Sequence, residues 1–227
     1  MFAVLKKEFK SYLLTPLGYI FIGIFLIMFS LFFYIDIYNY QAINFEYLFY
    51  NGATILTFVV PVLTMRMFSE ERKSGTEQLI LTSPRSLTSI VLGKFLAAVL
   101  IIAITEVFTF IYFGILNYFG DPSLKVAFST LAGFLLLGAA YISFGMFASS
   151  ITESQIVAFI LSVGVFISMW FLPNIDEIFT PFCLVSKFDS FPRGIISISE
   201  VITFATFILL FISLTIVVLQ SRKTAHR

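Results

Sequence analysis

With 59% apolar and only 12% charged residues in 227 positions, the chain lacks the polar surface of a water-soluble domain, which ordinarily holds about 45–50% apolar and about 25% charged residues. Thirty phenylalanines are more than one soluble core of this size can bury. The 14 basic and 13 acidic side chains nearly cancel, so nothing in the net charge favours nucleic acid, and any positive patch must come from placement.

A single cysteine, Cys183, and a single histidine, His226, exclude an internal disulfide framework and a multi-cysteine metal cluster. The chain opens on Phe2 to Leu14, where Phe2, Leu5, Phe9, Tyr12 and Leu13 share one helical face and Lys6, Lys7 and Lys10 point toward another. Such a helix lies in the membrane interface, until Pro16 redirects the chain. The apolar run that follows continues through bulky Phe29, Leu31, Phe32 and Phe33. It reads as a retained membrane helix rather than a cleaved leader, whose apolar core is short.

Crossing a bilayer takes roughly 20 apolar residues in a helix, because every backbone polar group must be paired inside the hydrocarbon. Six segments approach or reach that length: Leu17–Tyr34, Tyr47–Met65, Phe95–Phe119, Val126–Ser149, Gln155–Leu172 and Val201–Leu219. The runs are longer than barrel strands and apolar on all sides, which favours helices over a β-barrel. The fold class expected is therefore an all-α integral membrane protein with six transmembrane helices. In the fourth span Gly138 and Gly145 fall on one side and permit close helix contact.

The third span holds one acidic residue, Glu106. A carboxyl at that depth either bonds a hydroxyl on another helix or lines a path through the bundle, and Thr105 and Thr109 are near enough in sequence to ease its burial. Of the 14 basic residues, 11 fall in the amino-terminal segment, the connection between the second and third spans, and the tail with Arg222, Lys223 and Arg227. The excess of lysine and arginine places that side in the cytoplasm, with both termini on it and an even number of crossings.

The connection 66–94 is too long for a simple return. Ser69 to Lys73 extends the preceding helix, Gly75 permits a sharp turn, and Thr76 caps a short helix carrying Glu77, Gln78, Leu79, Ile80 and Leu81. Ser83-Pro84 ends that helix, and Ser86 or Ser89 opens the next. Leu79, Ile80 and Leu81 either rest against the membrane helices or fill a cleft on a cytoplasmic partner. In the second case Glu70, Glu71, Arg72 and Lys73 form a polar margin around an apolar plug. On the opposite side, 173–200 is apolar and broken by Pro173, Pro181 and Pro192. It either closes the outer end of a path or packs the helices from above.

The segment Glu71-Arg-Lys-Ser-Gly75-Thr76-Glu77-Gln-Leu79-Ile-Leu81-Thr-Ser83-Pro84, followed by Ile90-Val-Leu-Gly93-Lys94, resembles the ABC-2 type transporter permeases. The basic amino-terminal helix, the six spans and Phe188-Asp-Ser-Phe191-Pro-Arg-Gly194 extend the likeness over nearly the whole chain, with particular similarity to permeases associated with bacterial gliding motility. The resemblance implies one permease domain over 1–227, with an interfacial helix in 1–16, a coupling loop in 66–94 and an extracytoplasmic apolar segment in 173–200. It implies a multi-pass protein of the bacterial inner membrane that pairs with a second permease, identical or different, and with two cytoplasmic ATPase subunits. An extracytoplasmic accessory protein is compatible with it. Glu70, Glu71, Gly75, Thr76, Glu77, Leu79, Ile80, Leu81 and Pro84 would form the ATPase-coupling segment, and the helix holding Phe2, Leu5, Lys6, Lys7, Phe9 and Lys10 would contact the ATPase as well.

The chain has no G-x-x-x-x-G-K-[S/T] phosphate loop, and Gly93-Lys94 lacks the glycine-rich cradle that such a loop needs. ATP and magnesium would therefore sit on the partner, with no cofactor on this chain and no enzymatic site. The function expected is a permease subunit of an ATP-driven exporter. The alternative is a scaffold or force-transmitting subunit of ATPase-driven surface machinery, such as that of gliding motility.

Overall fold

The computed structural model describes residues 1–40, 45–81, 85–119, 123–171 and 183–225, with the side chains of 37, 39, 40, 45–47, 80, 81, 119 and 225 outside the description. Among the described residues the regular structure is helical throughout, with no strand. In chain order the helices are α1 (Phe2–Leu14), α2 (Pro16–Tyr40), α3 (Phe45–Thr64), α4 (Ser69–Lys73) and α5 (Glu77–Leu81), then α6 (Leu87–Phe119), α7 (Leu124–Ile151), α8 (Gln155–Phe171), α9 (Leu184–Phe188) and α10 (Ile198–Ala225). A short 3-10 turn, Phe191–Arg193, lies between α9 and α10. Among the described residues five stretches are long and apolar enough to cross a membrane: Pro16–Asp36, Leu48–Lys73, Leu87–Tyr118, Leu124–Ile151 and Ile198–Thr224. The expected fifth span, α8, is apolar and covers 17 described residues.

Local chemistry sets the joints between helices. Thr15 ends α1 in an extended conformation, φ −93° and ψ 153°, because the following proline ring disfavours helical backbone at the residue before it. Pro16 then occupies the first position of α2, where its missing N–H has no partner to lose. Gly75 between α4 and α5 has φ +72°, a region that side chains make costly. No atom lies within 4 Å of where its Cβ would stand, so it is the backbone angle, not crowding, that calls for glycine there.

Helix α6 opens at Leu87, directly after Ser86, one of the two serines expected to open it; the apolar span expected from Phe95 lies within it, and Gly93-Lys94 falls about two turns after its start. The Ser86 Oγ accepts the Ser89 N–H at 3.3 Å and caps the first turn. The basic residues Arg222 and Lys223, expected in a tail, form the last described turn of α10.

Helix α7 is the axis of the bundle. It packs against α3, α6, α8 and α10 and buries side chains from Ala127 to Ser150. Its glycines make room for different neighbours. A Cβ on Gly138 would stand 2.8 Å from Ile102 on α6, and one on Gly145 would stand 2.2 Å from Thr64 at the end of α3. The two positions share a side as expected, but that side meets two helices. Gly133 faces the 3-10 turn, where a Cβ would lie 2.4 Å from the Phe191 ring.

The phenylalanines interlock at one end of the bundle. Phe29 and Phe49 meet with ring centroids 5.2 Å apart, Phe49 and Phe134 at 5.1 Å, and Phe134 and Phe188 at 6.1 Å. Edge-to-face pairs of this kind add about 0.5–1.5 kcal/mol each beyond area burial. They join α2, α3, α7 and α9 without polar atoms. Within the apolar segment 173–200, Leu184, Val185, Phe188 and Phe191 pack down onto the helices and are buried, whereas Ile195, Ile196 and Ile198 are exposed; residues 172–182 lie outside the described structure.

Candidate functional site: a surface mounted on buried ion pairs

The 66–94 connection meets both terminal helices at one end of the bundle. Lys94 on α6 is the centre of the first junction, with 5% of its side chain exposed. Its Nζ stands 2.7 Å from Glu71 Oε1 on α4, 3.5 Å from Glu8 Oε2 on α1, and 2.9 Å from the Met67 carbonyl. Three N–H donors thus face three oxygens, with the Phe68 ring 5.2 Å from the ammonium. A buried cation left without its partners is costly, and this one is surrounded by them. Two carboxylates share the one ammonium, and Glu71 Oε2 is buried with no hydrogen-bond partner among the described residues.

Helix α1 reaches this junction because its packed face differs from the one its apolar residues define. Leu5, Phe9, Tyr12 and Leu13 are half-buried as expected, but so are Val4 and Glu8, while Phe2 is 80% exposed. Val4 packs where a Cβ on Gly93 would come within 2.8 Å, so the glycine lets α1 lie close against α6. Lys6, Lys7 and Lys10 are exposed. Burial first, then the charges of Glu8 and Glu71, push the Tyr12 phenol well above its ordinary pKa, which keeps it protonated beside the junction.

Two clefts flank Lys94. One, of about 360 Å³, is bordered by Val4, Lys7, Leu79 and Ile90. The other, of about 270 Å³, is bordered by Ser11, Tyr12, Arg66 and Glu70.

A second junction forms at the carboxyl end of α7. Ser149 Oγ accepts the Phe68 and Ser69 backbone N–H groups at 3.0 and 3.1 Å and donates to the Met65 carbonyl at 3.1 Å. One hydroxyl therefore satisfies the irregular backbone between α3 and α4. Arg72 donates to the Ile151 carbonyl at 3.0 Å and pairs with Glu153 at 2.8 Å. Arg222 from α10 pairs with Glu77 of α5 at 2.8 Å and also donates to the Ser150 carbonyl. Cations are favourable at the carboxyl end of a helix, where carbonyls point outward and the dipole is negative. The Arg222–Glu77 pair is largely enclosed, with 19% and 16% of the two side chains exposed.

The expected coupling residues thus separate. Glu70 stays at the surface, 3.7 Å from Arg66, an exposed contact worth at most about 1 kcal/mol. Glu71 turns inward to Lys94, and Glu77 inward to Arg222. Thr76 donates to the Glu71 carbonyl at 3.2 Å and contacts the Ser74 hydroxyl at 2.8 Å. Leu79 is 73% exposed on α5. Pro84 and the side chains of Ile80 and Leu81 lie outside the described residues.

Glu106 stands apart from this surface, 7% exposed within α6, and its Oε1 is buried with no hydrogen-bond partner among the described residues. The hydroxyls of Thr105 and Thr109 are engaged by the backbone carbonyls of Ile101 and Glu106. Of the aromatic residues of α6 and α7, Tyr141 is buried and stacked on Phe166 with centroids 4.0 Å apart, while Phe108 is exposed.

Glu8, Lys94, Ser149 and Arg222 were not singled out as site residues by the sequence. The signals available were a lone acid in a basic helix, and a lysine inside a run otherwise apolar to Thr105. No curated protein matches the chain. Residues 2–188, most of the sequence and all of α1 to α9, match the ABC-2 family transporter protein family, and the chain therefore belongs to the ABC-2 transporter family, as a multi-pass permease subunit of an ABC transporter.

Proposed function

We propose that the chain forms the membrane pathway of an ATP-driven exporter and that α5 is the helix on which a separate cytoplasmic ATPase docks. One observation carries this reading: α5 exposes Leu79 while Glu77, beside it, is fastened to α10 by a largely enclosed ion pair. An apolar residue held out by an ordered mount suits a partner's cleft better than a loop that merely returns the chain. The exposed lysines of α1, together with Phe2, extend the surface at the membrane interface.

In this reading the protein has six crossings, with α8 as the fifth, and both termini are in the cytoplasm of a bacterial inner membrane. Supporting it, α1 and the end of α10 meet the same connection, through Glu8–Lys94 and Glu77–Arg222. That arrangement asks for an even number of crossings, and 11 of the 14 basic residues fall on that side. A second permease, identical or different, completes the pathway. ATP and magnesium bind the ATPase pair, whose closure displaces the docked helices. Export follows if the two resulting conformations differ in access or affinity for the cargo, because equal binding to both biases nothing.

The test is Leu79→Asp in cells that also produce the partner ATPase. Membrane insertion is expected to be unchanged, because Leu79 is exposed, while ATPase co-purification and nucleotide-driven transport are lost. Undiminished co-purification would remove α5 from the interface. Retained ATP-driven assembly changes with no cargo moved in vesicles would instead favour a force-transmitting subunit.

A further inference from the structure

The two short helices of the connection are mounted differently, and the difference assigns a direction to the movement. Helix α4 is fixed on several sides: Glu71 to Lys94, which also holds Glu8; the Phe68 and Ser69 N–H groups to Ser149; and Arg72 to Ile151 and Glu153. Between α4 and α5 stands Gly75, in a left-handed conformation with open space around it, the kind of position that absorbs a hinge rotation. Beyond the hinge, Glu77 is held by Arg222, which comes from a span more than a hundred residues away in sequence. Arg222 also grips the end of α7 through the Ser150 carbonyl.

The geometry points to α10 as the span driven directly by the docking helix: α5 turns about Gly75 against a fixed α4, and Arg222 is the positioning residue that carries α10 with it. This rests on the docking role proposed above for α5. The spans next to the connection in sequence, α3 and α6, are instead bound to the fixed side. Helix α10 packs along α7 and leaves its other face, with Ile202, Leu209, Leu210 and Val217, exposed, so a displacement of α10 is a shift along that one packed face. Two neutral groups would let α5 slip past α10, whereas separating a buried cation from its carboxylate is strongly opposed.

Spin-label distances on the purified chain in lipid nanodiscs test this, with Cys183→Ser as background and cysteine pairs replacing Gln78 and Thr224, Lys73 and Lys10, or Thr224 and Lys10. In the chain alone, Arg222→Met is expected to broaden the 78–224 distance and leave the 73–10 distance narrow, the latter showing that the fold is intact. Glu77→Gln, which keeps a hydrogen-bonding amide, is expected to broaden 78–224 less. In the complex with the ATPase, ATP with vanadate is expected to leave 78–224 unchanged and shift 224–10. Arg222→Met is expected to abolish the 224–10 shift while 78–224 changes. A 78–224 distance indifferent to Arg222→Met in the chain alone, or a 224–10 shift that survives the substitution, would overturn the assignment. Should nucleotide shift no pair and Leu79→Asp still bind the ATPase, docking at α5 fails, and the measurement on the chain alone still decides whether Arg222 joins α5 to α10.

Discussion

Lys94 shows how a charge is kept in an apolar bundle, and what its loss would do. Removing one partner of a buried ion pair costs about 3–5 kcal/mol, whereas replacing a whole group by uncharged residues of similar shape is often neutral. Lys94→Met leaves Glu8 and Glu71 facing each other, so a marked fall in thermal unfolding temperature is expected in detergent. The triple variant Lys94→Met, Glu8→Gln, Glu71→Gln should recover much of that fall, and differential scanning fluorimetry reads both. If the triple variant were as unstable as the single one, the lysine would act by packing rather than by charge. This residue was hard to recognise in sequence because its meaning depends on partners 23 and 86 positions away. Glu106 was legible for the opposite reason: a carboxyl inside an apolar run stands out by itself, although its burial without a partner at Oε1 among the described residues is a property of the surrounding helices.

At the scale of elements, apolar length made the long helices readable, and capping residues marked their joints where the backbone required them. Pro16, Gly75 and Ser86 act locally, so Thr15–Pro16, the α4–α5 turn and the start of α6 follow from neighbouring residues alone. What a helix face touches is not local. Gly138 and Gly145 make room for neighbouring helices, whereas Gly133 on the same helix accommodates the ring of Phe191 from the 3-10 turn. Gly133→Ala puts a methyl group where that ring now lies, and overpacking of this kind costs about 1–3 kcal/mol. The variant is expected to unfold at lower temperature and to expose 183–193 to added protease, while the equivalent change at Gly114, which has no atom within 4 Å of its Cβ position, should do neither. Equal behaviour of the two variants would mean that the Phe191 contact contributes nothing to holding the segment down.

For the whole molecule the decisive quantity is the number of crossings, and α8 decides it. Its 17 described residues span roughly 25 Å at about 1.5 Å per residue, a little short of the roughly 30 Å hydrocarbon core. Hydrophobic length alone therefore counts five helices and leaves α8 in doubt. Its contacts point further, because its two ends meet opposite parts of the bundle. Gln155 accepts a hydrogen bond from Arg66 at 3.2 Å, beside the charged connection. The Met169 carbonyl accepts one from Cys183 at 2.8 Å, immediately before the helix whose Phe188 joins the aromatic interlock. In the proposed six-crossing reading a helix joining those two places is the fifth crossing, and the modest shortfall in length is of a size that local thinning of the bilayer accommodates. Single cysteines replacing Ser154 and Arg193, in a Cys183→Ser background, should then react from opposite sides with a membrane-impermeant maleimide: Arg193→Cys in intact spheroplasts, Ser154→Cys only after lysis. Cysteines replacing Lys10 and Thr224 should behave like the one at 154. Labelling of positions 154 and 193 from the same side would leave α8 lying along the membrane, put the termini on opposite faces, and place Arg222 across the membrane from Glu77, with which it pairs.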